Sequence, residues 1–277
     1  MLSPMLGIMS DAFLDAVHAL GLTDFLLSYF ISVTGGSIPS NRILRRRFSH
    51  WMTSPSATFV PQIIGRDAET LAECALQLRN LPAKAVNLNA SCPSPTVTGN
   101  HAGSFLLKDP LVLRKMVEAV RNALPPEISF SVKLRAGFDS DALLEDNIKA
   151  CADGGAELII FHWRTALEMY EDRPFAEERL NRARAVCPVP LIGNGNVRTP
   201  EQAHAMRNNG FDGVAVGRGF LFDPWILKRL TDPESVWPEP ENAPRLFLEA
   251  MKQFKPHPGP LREYERTVFG AFSPTNF

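Results

Sequence analysis

Two stretches, Val189–Val197 (VPLIGNGNV) and Phe211–Gly219 (FDGVAVGRG), repeat one pattern: a short apolar run ends in a polar residue flanked by glycines, just before a helix start. Glycines let the backbone come close to a ligand, and the free N–H groups of a helix N-terminus favour an anion. The loops after the seventh and eighth strands are the frequent phosphate site of a (β/α)8 barrel. Arg218 adds a positive charge there, able to make a charge-assisted contact.

Working back from this pair, similar runs recur: LSPMLGIM, FLLSYFISV, ATFVPQIIG, KAVNLN, ISFSVKLR and AELIIFHWR. Between them lie stretches of helical periodicity, including DAETLAECALQLRNL, DPLVLRKMVEAVRNAL, DALLEDNIKACADGG and TPEQAHAMRNNG, several opening with Asp or Thr as caps and some closing at Gly. Alternating strands and helices build parallel βα units, and an α/β TIM barrel of this kind needs about 250 residues. A doubly wound open sheet is the competing arrangement. The barrel is preferred because polar residues gather at the C-terminal ends of the runs, which in a barrel all open onto one face. The proline-rich TDPESVWPEPENAP then reads as a linker. The expected division is a barrel over 1–230 and a linker with a short helical tail over 231–277.

The polar strand ends read together as one pocket: Gln62, Asn89 with Cys92, Lys133 and Arg135, His162 and Arg164, Asn194, and Arg218. A lysine in the barrel mouth suits the negative charge that a reduced flavin carries near N1. Flavin mononucleotide (FMN) is therefore a candidate ligand on these residues alone. The chain has 277 residues, 45% of them hydrophobic, and a net charge of -1, so a polyanion partner must meet a local basic patch. Arg42, Arg45, Arg46 and Arg47 in NRILRRRFSH form such a patch, with Lys252, Lys255, Arg262 and Arg266 in the tail. The cysteines Cys74, Cys92, Cys151 and Cys187 are widely separated, which argues against a disulfide framework and against a metal site. No run reaches the roughly 20 apolar residues of a membrane span, and a cytoplasmic protein with no membrane partner is expected.

The loop NASCPSPTV followed by FLLKDP, with SVKLRAGFDS, FHWRTALEMY, PLIGNGNV and DGVAVGRGFL in the same order, resembles the tRNA-dihydrouridine synthase family, most closely its bacterial C subgroup. The resemblance implies an FMN enzyme that uses NADPH to reduce a uracil base in tRNA, with Cys92 donating the proton. It implies flavin contacts at Pro4, Met5, Leu6, Gln62, Lys133, His162, Asn194, Gly195, Asn196, Gly217 and Arg218. It implies base contacts at Asn89, Arg135 and Tyr170. An unperturbed thiol near pKa 8.5 is mostly protonated at neutral pH and can serve as a general acid.

The chain departs from the family pattern at Leu6 (acidic in the pattern), Ser91 (Gly), Pro95 (Lys) and Trp163 (Gly). Trp163 is expected to set a very large side chain beside the pocket, and the C-terminal helical region is expected to be short. The alternatives are a flavin reductase of a free pyrimidine or other small conjugated substrate, and a barrel that only binds FMN or another phosphorylated ligand. Cys92 beside Asn89 argues against the pure binder, which needs no proton donor.

Overall fold

In the computed structural model, which describes residues 1–270 apart from 6, 35, 55, 56, 172, 173 and 175, a parallel sheet runs in strict chain order. Its strands are β1 (Phe25–Ser32), β2 (Thr58–Ile64), β3 (Ala85–Ala90), β4 (Ser129–Arg135), β5 (Leu158–His162), β6 (Leu191–Asn194) and β7 (Gly213–Ala215). Among the described residues, seven strands rather than eight make the sheet. The first apolar run contributes one bridged residue, Leu2, which pairs in parallel with Leu26 on one side and Val216 on the other. Leu2 N donates to Phe25 O (2.9 Å), Leu27 N to Leu2 O (3.2 Å) and Ser3 N to Val216 O (2.8 Å), so the sheet closes on itself through this segment. A longer strand fails at Pro4, which has no N–H to give a ladder. Met9 N then donates to Met5 O (3.1 Å) as the chain turns away.

Helices pack outside the barrel where the sequence supplies caps. Asp67 accepts from Thr70 N (2.9 Å) at the start of Ala68–Leu78, and Asp109 from Leu111 N (2.9 Å) and Val112 N (3.1 Å) at the start of Pro110–Ala123. Thr199 accepts from Gln202 N (3.4 Å) ahead of Pro200–Asn208. Asp141 caps nothing: the next helix begins at Leu144, and the carboxylate instead pairs with Arg179 and Arg182.

Side chains alternate across a strand, so residues two apart face the same way. Inside the barrel this produces layers. Leu27, Val60, Ile160 and Ala215 form an apolar floor. The next layer up holds Gln62 and His162 with Phe30, which a register shift in β1 after Leu27 brings opposite Gln62, and β3 and β4 add Asn87, Asn89, Lys133 and Arg135. The chain therefore switches from apolar to polar along the strand direction, which fixes the functional end.

After the barrel, helices Ala243–Gln253 and Pro258–Phe269 pack back on the first helix, Asp11–Ala19. Phe247 meets Phe13 edge-on (centroids 4.9 Å), Phe220 at 5.4 Å and Tyr264 at 5.6 Å, and all four rings belong to the main core. No helix of the described residues is long and apolar enough to cross a membrane, and no group of His, Cys, Asp or Glu among them is placed to hold a metal.

Candidate active site

A cavity of about 400 Å³ opens at the C-terminal ends of the strands. Its wall includes Pro4, Met5, Asn89, Cys92, Lys133, Arg135, His162, Tyr170, Asn194, Gly195, Asn196, Gly217 and Arg218. These are the residues the sequence assembled, from the N-terminal segment, β3, β4, β5, β6 and the loop after β7. Leu6 lies outside the described residues. Gln62 is the exception: it is fully buried below the wall, with Nε2 donating to Asn87 Oδ1 (2.7 Å) and Oε1 accepting from Asn89 Nδ2 (2.7 Å). Its amide acts on Asn89, and Gln62 is not among the residues that line the cavity.

Asn89 passes that restraint upward. Its Oδ1 accepts from Ser91 N (2.9 Å) and Cys92 N (2.8 Å), bending the chain after β3 so that the thiol reaches the cavity. The Cys92 carbonyl is fixed from the other side by Ser104 N (3.1 Å) and Ser104 Oγ (3.0 Å). Gly103 permits this approach: at φ 62° it is left-handed, and a Cβ there would lie 2.8 Å from Cys92 O. Pro95 opens the helical turn Pro95–Thr98 at its first position, where a missing N–H costs nothing.

The electrostatics follow from burial. Lys133 is buried, with Nζ donating to Ser91 Oγ (3.0 Å), and burial with Arg135 nearby pulls it down to about 7. Burial raises the Cys92 thiol, and the backbone N–H of Ser94 with the charges of Lys133 and Arg135 only partly offsets this, so the group stays protonated at neutral pH. His162 accepts from Arg164 N at Nδ1 (3.2 Å), which leaves the proton of the neutral ring on Nε2. Burial, together with Arg135, Lys133, Arg164 and Arg218, holds His162 well below its ordinary value. No Asp or Glu is among the described residues lining this cavity. The described lining carries Lys133, Arg135, Arg198 and Arg218, which suits an anionic ligand.

Trp163 does not enter the cavity. It is buried behind the wall, with Arg164 stacked on its ring (4.1 Å) and Nε1 donating to Gly195 O (3.3 Å). Gly195, at φ 112°, is therefore required by the protein itself, since a Cβ would sit 2.7 Å from Trp163 Nε1. Gly219 serves a similar purpose between loops, because a Cβ would lie 2.2 Å from Val197 O. Gly217 is different: the nearest atom to its Cβ position is Ser3 Cβ at 4.0 Å, so that side of the backbone is open for a ligand.

At the rim, Arg135 Nε donates to Ser91 O (2.9 Å), and its Nη1 donates to Thr165 O and Met169 O (both 2.8 Å). The Tyr170 ring stands between the guanidiniums of Arg135 (5.1 Å) and Arg218 (5.0 Å). Sequence reasoning missed what Ser91 does, although the register was informative: Asn89 pairs with Lys133 and Ala90 with Leu134, which sets the following serine beside the lysine's strand.

A closed parallel barrel with one polar cavity at the C-terminal ends of its strands, bounded by the glycine-bearing loops after the last two, defines the class of (β/α)8 barrels. The solved structures it is similar to have that fold: morphinone reductase (TM-score 0.61, 14% identity, 86% of this chain and 87% of that chain) and a variant of NCR from Zymomonas mobilis (0.60, 14%, 85% and 87%). The family model described as dihydrouridine synthase matches residues 1–268, and the chain belongs to that family. It is 30% identical to the tRNA-dihydrouridine(16) synthase of Aquipseudomonas alcaligenes over 249 residues, 86% of this chain and 79% of that protein. The protein of that name from Cupriavidus necator is 32% identical over 235 residues (83% and 72%), and that from Escherichia coli K12 is 29% identical over 246 (86% and 78%).

Proposed function

We propose that the protein reduces uridine to 5,6-dihydrouridine in tRNA, with FMN in the cavity and NADPH as the reductant. The observation that carries this reading is Cys92, a thiol kept protonated by burial and held by Asn89 at the wall of a cationic cavity. The names of the curated relatives support the uridine at tRNA position 16 as the target.

The wall suits FMN. Gly217, Asn196 and Arg218 would hold the phosphate, with Gly195 shaping the loop and Asn194 tying β6 to Ala215 O (2.6 Å). Lys133 and the Nε2–H of His162 would serve the polar edge of the ring, and Pro4 and Met5 its apolar face. When bound and reduced, the flavin supplies a hydride to C6 of the uracil. The Cys92 thiol gives its proton to C5 of the resulting enolate, so one hydride and one proton add across the double bond. Lys133 and Arg135 lower the cost of the thiolate left behind, which regains its proton from water. Arg135, Tyr170 and Asn89 would hold the base, with Arg135 braced by its backbone acceptors.

The test incubates the purified protein with FMN, NADPH and unmodified tRNA transcript, and reads the nucleosides by mass spectrometry. Gain of two hydrogens at the position 16 uridine is expected. A flavin-loaded protein that oxidises NADPH but leaves tRNA unchanged, while reducing a free pyrimidine, would replace this reading with that of a small-molecule reductase.

A further inference from the structure

Ser91 makes three hydrogen bonds into the cavity wall. Its N–H donates to Asn89 Oδ1 (2.9 Å), its hydroxyl accepts from Lys133 Nζ (3.0 Å) and its carbonyl accepts from Arg135 Nε (2.9 Å). It also precedes Cys92 directly, so one buried residue joins the loop of the proton donor to two cations of the neighbouring strand β4. The hydroxyl is the side-chain part of this junction, and only the bond to Lys133 depends on it.

We propose that Ser91 is a positioning residue for Lys133: its hydroxyl anchors the lysine amine to the loop that carries Cys92, and so keeps the cation in place at the polar edge of the flavin. The inference rests on the flavin reading above and adds a residue to it. Lys133 gains nothing from a carboxylate, because no Asp or Glu is among the described residues lining the cavity. The groups around it are Arg135 on its own strand, Cys92 after β3, and His162 on β5, whose ring is neutral. Burial and Arg135 both disfavour the ammonium, and the Ser91 oxygen opposes them. A hydrogen bond to a charged group favours the charged form. Removing the hydroxyl therefore weakens the charge of Lys133 near neutral pH, and a cation at that edge favours the reduced flavin.

The experiment measures the midpoint potential of bound FMN against pH in the wild-type holoprotein and in Ser91→Ala, Ser91→Gly, Ser91→Thr and Lys133→Met. In wild type the curve bends where Lys133 loses its proton, and the bend is absent in Lys133→Met. In Ser91→Ala and Ser91→Gly the bend moves to lower pH by about one pH unit, as the loss of a charged hydrogen bond implies. Ser91→Thr keeps the hydroxyl and restores the wild-type position. Thermal unfolding of each variant separates this from a loss of fold, since a serine that only packs would lower the melting temperature and leave the bend where it was. Curves for Ser91→Ala and Ser91→Gly that overlay wild type overturn the proposal while the flavin site stands. A wild-type protein that takes up no FMN overturns both.

Discussion

Asn89 shows how one amide sets the chemistry. Its oxygen takes two backbone N–H groups at the Cys92 loop while its nitrogen is held by Gln62 from below, so the thiol's direction is fixed by an amide three residues earlier in the chain. The residue types of the site were legible in the sequence because strand ends of a barrel converge. Their division of labour was not, because whether Gln62 points at a ligand or at Asn89 depends on cross-strand register. Trp163 illustrates the same limit: its size was visible, but the direction that puts it under Arg164 is a property of the packed loop. Replacing Cys92 by Ala should keep FMN and NADPH oxidation but lower uracil reduction roughly 100- to 10,000-fold, the contribution of a positioned general acid. Parallel assays of NADPH oxidation and dihydrouridine formation check it, and full activity in the variant removes the thiol from the mechanism. Lys133 gives a second prediction with a definite sign. Its folded value lies near 7 while an unfolded lysine titrates near 10.5, so between these pH values the unfolded chain binds the extra proton. That difference destabilises the ligand-free protein fully below about pH 7 and fades as pH rises toward 10. Lys133→Met should therefore stabilise the ligand-free protein at pH 7, by at least about 1 kcal/mol, and the gain should shrink in alkaline buffer. Denaturant unfolding at pH 7 and pH 9.5 measures both, and a gain that grows with pH contradicts the assignment.

Among the elements, the loops after β6 and β7 lean on each other before any ligand is considered. Gly219 lets the Val197 carbonyl approach, and Gly195 lets the Trp163 indole approach, so the paired glycines that pointed to an anion are partly demanded by the protein's own packing. The sequence could not separate these uses, since both read as a glycine beside a helix start. Gly217 is the position where ligand and protein roles come apart, having open space where a Cβ would project. Two substitutions test this division. Gly219→Ala forces a methyl against the Val197 carbonyl and should destabilise the ligand-free protein by about 1 to 3 kcal/mol, as overpacking does. Gly217→Ala should unfold like wild type yet bind FMN more weakly. Fluorescence titration with FMN beside denaturant unfolding distinguishes them, and a Gly217→Ala protein with wild-type affinity would mean that the phosphate does not sit against that backbone.

At the scale of the whole molecule, the strand order was readable, apart from the first run, where Pro4 limits pairing to Leu2, while helices Asp11–Ala19, Asn41–Met52 and Glu177–Val186 were not among those the periodicity marked. The packing of the tail was not readable, because the ring cluster of Phe13, Phe220, Phe247 and Tyr264 joins residues far apart in the chain. That packing bears on how a chain of net charge -1 could hold a polyanion. Lys252 and Arg266 in the tail pair with Glu249 (3.0 Å) and Glu263 (2.7 Å), which cancels much of their field. Helix Asn41–Met52 carries Arg42, Arg45, Arg46 and Arg47, all exposed. Arg47 stacks on Tyr29 (4.4 Å), itself part of the cavity wall, so this helix flanks the mouth. The four arginines that the sequence groups together are not equivalent: Arg45 is engaged with Asn80 O (2.6 Å), whereas Arg42 and Arg46 make no side-chain hydrogen bond among the described residues. The expected contacts with phosphate therefore fall to Arg42 and Arg46. Binding of tRNA should be strongly salt-dependent, and each phosphate contact removed should lower the slope of log affinity against log salt by about 0.7 to 0.9. Titration of tRNA at several salt concentrations against wild type, an Arg42→Ala, Arg46→Ala double variant and a Lys252→Ala, Arg266→Ala double variant should show the slope falling in the first pair and barely in the second, with affinity reduced similarly for all tRNAs. Equal slopes in all three proteins would return the arginine helix to an ordinary solvated face and leave tRNA binding to the cavity rim alone.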